Sequence, residues 1–272
     1  MRTRFSELLR DAAARGGAVG AFTCYNLETA LGVLDAAGAA TRGVALLISP
    51  QSFAGAGGEA LLAALSAATD AAAAPACVQL DHATDAGAIR RAFMLGAGAV
   101  LADGSRLSLE QNIQFVEDAG ADGEVEAELG RIEGDEDVAA AVAAGALTEP
   151  HEAARLAEEA RPTCLAVSIG NVHGRYRMPP RLDWDRLQAV RERVDVPLSL
   201  HGASGLPDED VRRAIELGVR KVNVNTELRE AYLAATAERL EGARVGARVL
   251  ELNRAQATAV ADVVARKLEL LG

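Results

Sequence analysis

Three of the four histidines of this chain stand at or just after the end of a short apolar run, namely His82, His173 and His201. Neutral imidazoles that converge on one point are the ligand set of a catalytic Zn²⁺ site, which keeps a fourth position open, whereas structural zinc sites more often use cysteines. A single such histidine would more simply cap its strand through a hydrogen bond, but three together favour a metal site. The fourth, His151, follows Glu149-Pro150 at a helix start and is predicted to be a solvated surface residue.

Glycines and hydroxyl residues follow the same apolar runs. Gly174 comes after the sixth run, Gly202-Ala203-Ser204-Gly205 after the seventh, and Asn223-Val224-Asn225-Thr226 closes the eighth. Backbone amides and hydroxyl groups at these positions are what a barrel phosphate site uses. Taken alone, the Gly-Ala-Ser-Gly stretch is equally compatible with a tight turn. Its placement beside the end of the eighth run favours phosphate binding.

Positioning these residues requires a parallel sheet. Helical periodicity fills the stretches between the apolar runs, so both faces of the sheet are covered, and eight such units predict an α/β fold, a (β/α)₈ TIM barrel formed by residues 1–272 as a single domain. A helix over 4–14 is predicted to cap the bottom of the barrel. The tail after Thr226 is long enough for the eighth barrel helix and one or two extra C-terminal helices that could reach a neighbouring subunit. The eight runs lie at about 18–24, 44–49, 76–80, 98–102, 124–129, 164–169, 197–200 and 220–224.

Composition excludes several classes of partner. The formal net charge is −11, so a nucleic-acid or anionic-membrane partner would be repelled. No apolar run approaches the roughly 20 residues of a membrane span, and the N-terminus lacks a secretory signal, so a cytoplasmic location is expected. Cys24, Cys77 and Cys164 lie within or beside predicted strands, where small buried thiols are expected and a disulfide framework is not.

Six motifs together resemble the class II, zinc-dependent ketose-bisphosphate aldolases, which cleave fructose or tagatose bisphosphate. The likeness extends over nearly the whole chain. The motifs are Leu80-Asp81-His82, Asp103-Gly104-Ser105, Val125-Glu126-Ala127-Glu128-Leu129-Gly130, Ile169-Gly170 with His173-Gly174, His201-Gly202-Ala203-Ser204-Gly205, and Lys221-Val222-Asn223-Val224-Asn225-Thr226-Glu227-Leu228.

This resemblance implies roles for individual residues. Asp81 matches the aspartate that exchanges a proton with the C4 hydroxyl of the sugar, and Glu136 matches the acid that exchanges the proton on the dihydroxyacetone phosphate carbon. Glu128 resembles an alternative metal contact. A monovalent cation (Na⁺ or K⁺) is implied near the phosphate, as are a phosphosugar substrate, a homodimer or homotetramer, and a place in carbohydrate metabolism such as glycolysis. The implied zinc ligands are His82, His173 and His201, and the implied dihydroxyacetone phosphate site is Gly174, Gly202, Ala203, Ser204, Asn223, Val224, Asn225 and Thr226.

The physical chemistry agrees with these roles. Cleavage between C3 and C4 leaves a carbanion beside a ketone, which Zn²⁺ on the ketone oxygen would stabilise as a Lewis acid. No lysine is then needed for a Schiff base. Lys221 and Lys267 are the only lysines, and neither is predicted to be a buried nucleophile.

Departures from the family pattern concern the aldehyde half of the substrate. Thr23 stands where asparagine is usual, Arg106 replaces a common histidine after Asp-Gly-Ser, Glu133 stands where glycine is common, and the helix after Asn112 is shortened. The aldehyde product is therefore left open, as is the choice between the fructose and tagatose epimers. Candidates for binding the second phosphate are Arg229, Arg254 and Arg266, although a solvated helix face is the simpler interpretation of each.

Two other functions remain open at this point. A non-catalytic partner subunit of an aldolase would be expected to have lost the metal and acid residues, which this chain keeps. A zinc-dependent hydrolase on the same barrel would be expected to show His-x-His on the first strand and Asp at the end of the eighth, where this chain has Thr23-Cys24-Tyr25 and Asn223-Val224-Asn225. Metal content and chelator-sensitive aldol cleavage separate these alternatives from an aldolase.

Overall fold

Eight parallel strands form a closed barrel in a computed structural model that describes residues 1–134, 141–142, 145–176 and 181–272. The strands are β1 Val19–Thr23, β2 Val44–Ile48, β3 Ala76–Ala83, β4 Ala99–Ala102, β5 Glu124–Leu129, β6 Ala141–Val142, β7 Cys164–Val167, β8 Arg175–Tyr176, β9 Leu198–Leu200 and β10 Val219–Val224. Around the barrel the strands follow the order β1-β10-β9-β7-β5-β4-β3-β2, and β6 pairs with β8 in a separate two-stranded sheet. The predicted TIM barrel is confirmed.

Helices cover the outside of the barrel. Several begin at a residue whose side chain caps them; Asp85, for example, accepts a hydrogen bond from the backbone N–H of Ala88 at 2.7 Å, which satisfies one of the free amides of the first turn. The helices are α1 Phe5–Ala14, α2 Leu27–Ala40, α3 Pro50–Ala54, α4 Gly58–Ala71, α5 Ala86–Met94, α6 Leu109–Gly120, α7 Pro150–Ala160, α8 Trp184–Arg191, α9 Asp208–Glu216, α10 Thr226–Gly246 and α11 Val249–Leu271.

The amino end of the barrel is closed by α1. Phe5 and Leu9 of this helix are buried in one apolar cluster with Leu47 and Cys77 of the strands. Ser6 donates its backbone N–H to Glu124, the first residue of β5, at 3.1 Å. Helix α1 starts one residue later than predicted, since Arg4 is its N-cap.

The extra C-terminal helix α11 packs against α2. Their close approach depends on Gly32, because a Cβ atom there would lie 2.4 Å from the carbonyl oxygen of Ala257. Among the residues that the structure describes, no helix is both long and apolar enough to cross a membrane.

Candidate functional site

The three histidines from different strand ends meet at the carboxyl end of the barrel. Ring centroids of His82 and His173 lie 4.8 Å apart, those of His82 and His201 also 4.8 Å, and those of His173 and His201 5.7 Å. One ring nitrogen from each lies within 4.8 Å of the others. The imidazoles thus face one another, in an arrangement that can hold a metal ion.

Asp81 and His82 reach this site together although they are neighbours in the sequence. Successive side chains of a regular strand point to opposite faces. Here the pairing of β3 with β4 shifts register between Leu80 and Ala83, and His82 has a φ of 43°, in the left-handed region that few non-glycine residues adopt. This bulge turns both side chains toward the barrel mouth, as expected for a strand that is ending.

Asp81 is a buried carboxylate beside the histidines. Its side chain is 1% exposed, and its Oδ2 accepts a hydrogen bond from Asn223 Nδ2 at 3.1 Å. Oδ1 is buried and has no hydrogen-bond partner among the described residues. A buried, unsatisfied carboxylate oxygen is costly, so its retention beside the histidines indicates a functional position.

Two further carboxylates, Asp103 and Glu128, lie beside Nδ1 of His82. Its Nδ1 lies 3.2 Å from Asp103 Oδ2 and 3.0 Å from Glu128 Oε2, and these three residues form a second group that could hold a metal ion. Burial alone would lower the pKa of His82, but the charges of Asp81 and Glu128 and the hydrogen bond to Asp103 outweigh it and raise the pKa well above its ordinary value. The carboxylates therefore concentrate negative charge where a cation would bind.

A buried network behind His201 is the part of the site that the sequence analysis missed. Glu126 Oε1 lies 2.9 Å from His201 Nε2, while Glu126 Oε2 accepts hydrogen bonds from Lys221 Nζ at 2.6 Å and Gln79 Nε2 at 2.8 Å. Burial alone would raise the pKa of Glu126, but Lys221 and His201 lower it below its ordinary value. With Glu126 ionised, Nε2 of His201 donates this hydrogen bond. Nδ1, which lies 3.0 Å from His82 Nε2, is then available to a metal ion.

The burial of Lys221 was not predicted from the sequence. Its side chain is 0% exposed, because it points into the barrel two residues before Asn223. Burial alone would lower the pKa of Lys221, but Glu126 and Asp81 raise it above its ordinary value. The amine is therefore held as an ammonium ion and is not a nucleophile. The period of two along β10 was the signal that could have placed it inside.

A narrow polar recess lies beside the histidines. Gly202 has a φ of 64°, and a Cβ atom there would lie 2.0 Å from the carbonyl oxygen of Val172, so only glycine fits. The loop after β9 and the loop after β10 are joined by a hydrogen bond, in which Asn225 donates its backbone N–H to Ser204 Oγ at 3.3 Å. Of the residues predicted to bind phosphate, the recess is lined by Gly174, Gly202, Ser204, Asn223, Asn225 and Thr226, with His173.

Two predicted phosphate residues have side chains elsewhere. Ala203 and Val224 are buried in the main apolar cluster of the barrel, so only their backbones could contact a ligand. Glu136 lies outside the described residues. Of the three candidate arginines, Arg254 and Arg266 are exposed on α11, whereas Arg229 stacks over Tyr25, whose hydroxyl donates to Asn225 Oδ1 at 3.1 Å.

The remaining histidine and the cysteines behave as predicted. His151 is exposed at the start of α7. Cys24, Cys77 and Cys164 are buried free thiols, and burial raises the pKa of Cys77 to about 12. These thiols are packing residues.

Comparison with known proteins identifies the family. The model of the class II fructose-bisphosphate aldolases matches residues 3–272. The YdjI aldolase from Escherichia coli K12 is 30% identical, with a TM-score of 0.88 over 100% of this chain and 98% of that chain. An inferred fructose-1,6-bisphosphate aldolase from Coccidioides immitis is also 30% identical, with a TM-score of 0.88 over 98% and 96% of the two chains.

A fructose-bisphosphate aldolase from Campylobacter jejuni, 19% identical with a TM-score of 0.80 over 99% of this chain and 95% of that one, shares the fold. The family model spans residues 3–272, a range that includes the strand ends that carry the histidines. The chain therefore belongs to the class II fructose-bisphosphate aldolase family and is an aldolase, a lyase that makes or breaks a carbon–carbon bond by aldol chemistry.

Proposed function

We propose that this aldolase is zinc-dependent and cleaves a ketose bisphosphate, fructose 1,6- or tagatose 1,6-bisphosphate or a related ketose phosphate, to dihydroxyacetone phosphate and an aldehyde. The observation that carries the proposal is the cluster of His82, His173 and His201 beside the buried Oδ1 of Asp81, which accepts no hydrogen bond from the described residues. Class II aldolases are generally zinc-dependent, and three imidazole nitrogens with a fourth position open suit Zn²⁺. Glu128, whose Oε2 lies 3.0 Å from His82 Nδ1, would serve as an alternative ligand.

Each group of the site then has a task in carbon–carbon bond cleavage. When bound, Zn²⁺ would act as a Lewis acid toward the ketone of the substrate. Asp81 would take the proton of the C4 hydroxyl on Oδ1, while Asn223 holds Oδ2 and so orients the carboxylate. Glu126 and Lys221 hold the ring of His201 in place from behind. A preorganised, buried arrangement of this kind lowers the cost of reaching the transition state.

The polar recess would hold the phosphate of dihydroxyacetone phosphate. Its glycines let the backbone approach closely, and the start of α10 at Thr226 directs backbone N–H groups toward an anion. Glu136, as the acid acting on the dihydroxyacetone phosphate carbon, and a monovalent cation (Na⁺ or K⁺) near the phosphate stay predictions. The partner-subunit and hydrolase alternatives have no observation in their favour.

The test is retro-aldol cleavage of a panel of ketose phosphates, including both epimeric bisphosphates, with coupled detection of dihydroxyacetone phosphate. We expect about one Zn²⁺ per chain, loss of activity with a chelator, and recovery when zinc is returned. Full activity in metal-free protein would contradict the zinc mechanism, and cleavage of no ketose phosphate would contradict the substrate class.

We further propose that the protein forms a homodimer or homotetramer in the cytoplasm. Large apolar side chains are exposed along α10 and at the start of α11, where a second copy could cover them. Light scattering after size-exclusion chromatography tests this, and a monomer at micromolar concentration would contradict it. The exposed side chains are Leu233 at 63%, Leu240 at 50%, Val245 at 80%, Val249 at 62% and Leu250 at 71%.

A further inference from the structure

A cavity of about 240 Å³ adjoins the histidines and is distinct from the phosphate recess. His82 and His173 both line it, together with Asp103, Ser105, Arg106 and Arg131. Because His173 also lines the phosphate recess, the two spaces meet at the proposed metal site. A substrate with its phosphate in the recess and its reacting carbons at the histidines would extend its other half into this cavity.

A rival cavity of about 220 Å³ lies near the start of α10. It is lined by Tyr25, Tyr232, Leu228 and neighbouring residues, and none of the described residues lining it is a histidine. The cavity at His82 is therefore the one that adjoins the reacting carbons.

Two arginines, Arg106 and Arg131, line the cavity at His82. Arg131 Nε pairs with Glu133, and Asp103 is engaged by His82 and Ser105. Arg106 makes no ion pair with any residue in the part of the chain that the structure describes, and its side chain is exposed. A guanidinium group in this state can bind a phosphate or a carboxylate with two parallel hydrogen bonds.

The backbone of Arg106 is held in a defined position relative to His82. Asp103 Oδ2 lies 3.2 Å from His82 Nδ1, and Asp103 Oδ1 accepts hydrogen bonds from the backbone N–H and the hydroxyl of Ser105 at 3.0 and 2.6 Å. Leu107 closes the turn by donating its N–H to the carbonyl of Gly104 at 2.9 Å. Arg106 thus projects from a turn that is tied to a proposed metal ligand.

We propose that Arg106 is a specificity-determining residue that binds an anionic group, phosphate or carboxylate, on the aldehyde half of the substrate. The proposal rests on the proposed function, since it names the chemistry of the aldehyde that the aldolase accepts. It also accounts for the arginine that stands after Asp103-Gly104-Ser105, where the family commonly has histidine.

The test measures the condensation reaction of dihydroxyacetone phosphate with three aldehydes. Glyceraldehyde 3-phosphate carries a phosphate, succinate semialdehyde carries a carboxylate, and glyceraldehyde carries no charge. In Arg106→Ala, we expect the KM for the phosphorylated or carboxylated aldehyde to rise about tenfold or more, as when a hydrogen bond to a charged group is lost. The KM values for glyceraldehyde and dihydroxyacetone phosphate should change less than about twofold.

Arg106→Lys should restore part of the loss, because it returns the charge without the planar guanidinium. The matched control is Arg90→Ala, which removes an exposed arginine from α5, away from the cavity; it should leave every KM unchanged. A larger effect on the phosphate or on the carboxylate aldehyde would support the proposal and tell which anion is bound. Equal changes for charged and uncharged aldehydes, or no change, would overturn it.

A binding measurement separates this proposal from the proposed function. The titrations use Asp81→Ala protein with dihydroxyacetone phosphate filling the recess. Glyceraldehyde 3-phosphate and succinate semialdehyde are each titrated calorimetrically, with and without the additional Arg106→Ala change. For at least one of the two aldehydes, Arg106→Ala should weaken binding, with a Kd about tenfold higher. An unchanged Kd for both would overturn the role of Arg106. If the wild-type protein condensed no aldehyde, yet adding Arg106→Ala to the Asp81→Ala protein weakened binding in this way, the proposed function would fail while the anion site stood.

Discussion

The two ends of the barrel interior have opposite character although both are buried. At the amino end, Phe5 and Leu9 of α1 pack on apolar strand residues. At the carboxyl end, the inward positions carry Asp81, Glu128 and the histidines. Along β3 the inward side chains are Cys77, Gln79 and Asp81. Cys77 packs in the apolar cluster at the amino end, whereas Asp81, four residues later, lies at the site of the histidines.

The difference lies in how the polar groups are satisfied. At the amino end, Glu124 accepts hydrogen bonds from Ser6 of α1 and from Arg4, the N-cap of that helix. At the carboxyl end, Asp81 Oδ1 and Asn223 Oδ1 are buried without a hydrogen-bond partner among the described residues. The amino end is thus optimised for stability, while the carboxyl end gives up stability to keep atoms available for a ligand. Substitutions at the two ends should separate these properties.

The largest effect is expected for His201→Ala at the carboxyl end. Removing one of three imidazoles should lower bound zinc from about one per chain to near zero, with activity at background. Metal analysis and retro-aldol assays measure both. The matched control His151→Ala removes the exposed histidine of α7 and should change neither value. A His201→Ala protein that kept its zinc and activity would contradict the proposed ligand set.

Asp81→Ala should lower kcat by about 10² to 10⁴-fold, the usual contribution of a general acid–base group. Bound zinc should be retained, because Asp81 is not among the proposed ligands. The free energy of unfolding should change by less than about 1.5 kcal/mol, since the removed carboxylate had one unsatisfied oxygen. Unchanged kcat would remove the acid–base role, and a collapsed fold would contradict the contrast between the two ends.

Lys221→Met tests the buried network of Glu126, Lys221 and His201, which lies between the two ends of the barrel. It leaves the ionised Glu126 buried without its cation, so we expect the free energy of unfolding to fall by about 3 to 5 kcal/mol in urea denaturation. Lys267→Met is the matched control, because Lys267 pairs with Glu227 at 2.8 Å where Glu227 is 31% exposed. That change should cost less than about 1 kcal/mol. If both changes lowered the free energy of unfolding equally, the pair of Lys221 and Glu126 would not stabilise the buried network.

Leu9→Ala should destabilise the amino end without altering catalysis. Its side chain is 2% exposed, and truncation of a buried leucine costs about 2 to 5 kcal/mol. The zinc content and kcat of the folded protein should match the wild type. Met94→Ala, at a side chain that is 77% exposed, should shift stability by less than about 0.5 kcal/mol. A large fall in kcat for Leu9→Ala would show that the two ends are coupled.

Most of the fold and the proposed metal ligands could be predicted because their signals are local. A strand buried on both faces is rich in apolar residues, so all eight barrel strands were visible as short stretches rich in Val, Ile, Leu and Ala. The network of Glu126, Lys221 and His201 could not be found in the same way. Glu126 and Lys221 are 95 residues apart, and only barrel closure brings β5 and β10 to face each other across the interior.

The sequence by itself determined the alternation of strands and helices and which side chains end each strand. Periodicity and composition encode these properties residue by residue. Only the tertiary structure decided that His82 and Asp81 point the same way, because this depends on a bulge set by pairing between β3 and β4. It also decided that Lys221 is charged and buried, and that Arg106 borders the cavity at the histidines. Those properties arise from contacts between distant strand ends, which exist only once the barrel has closed.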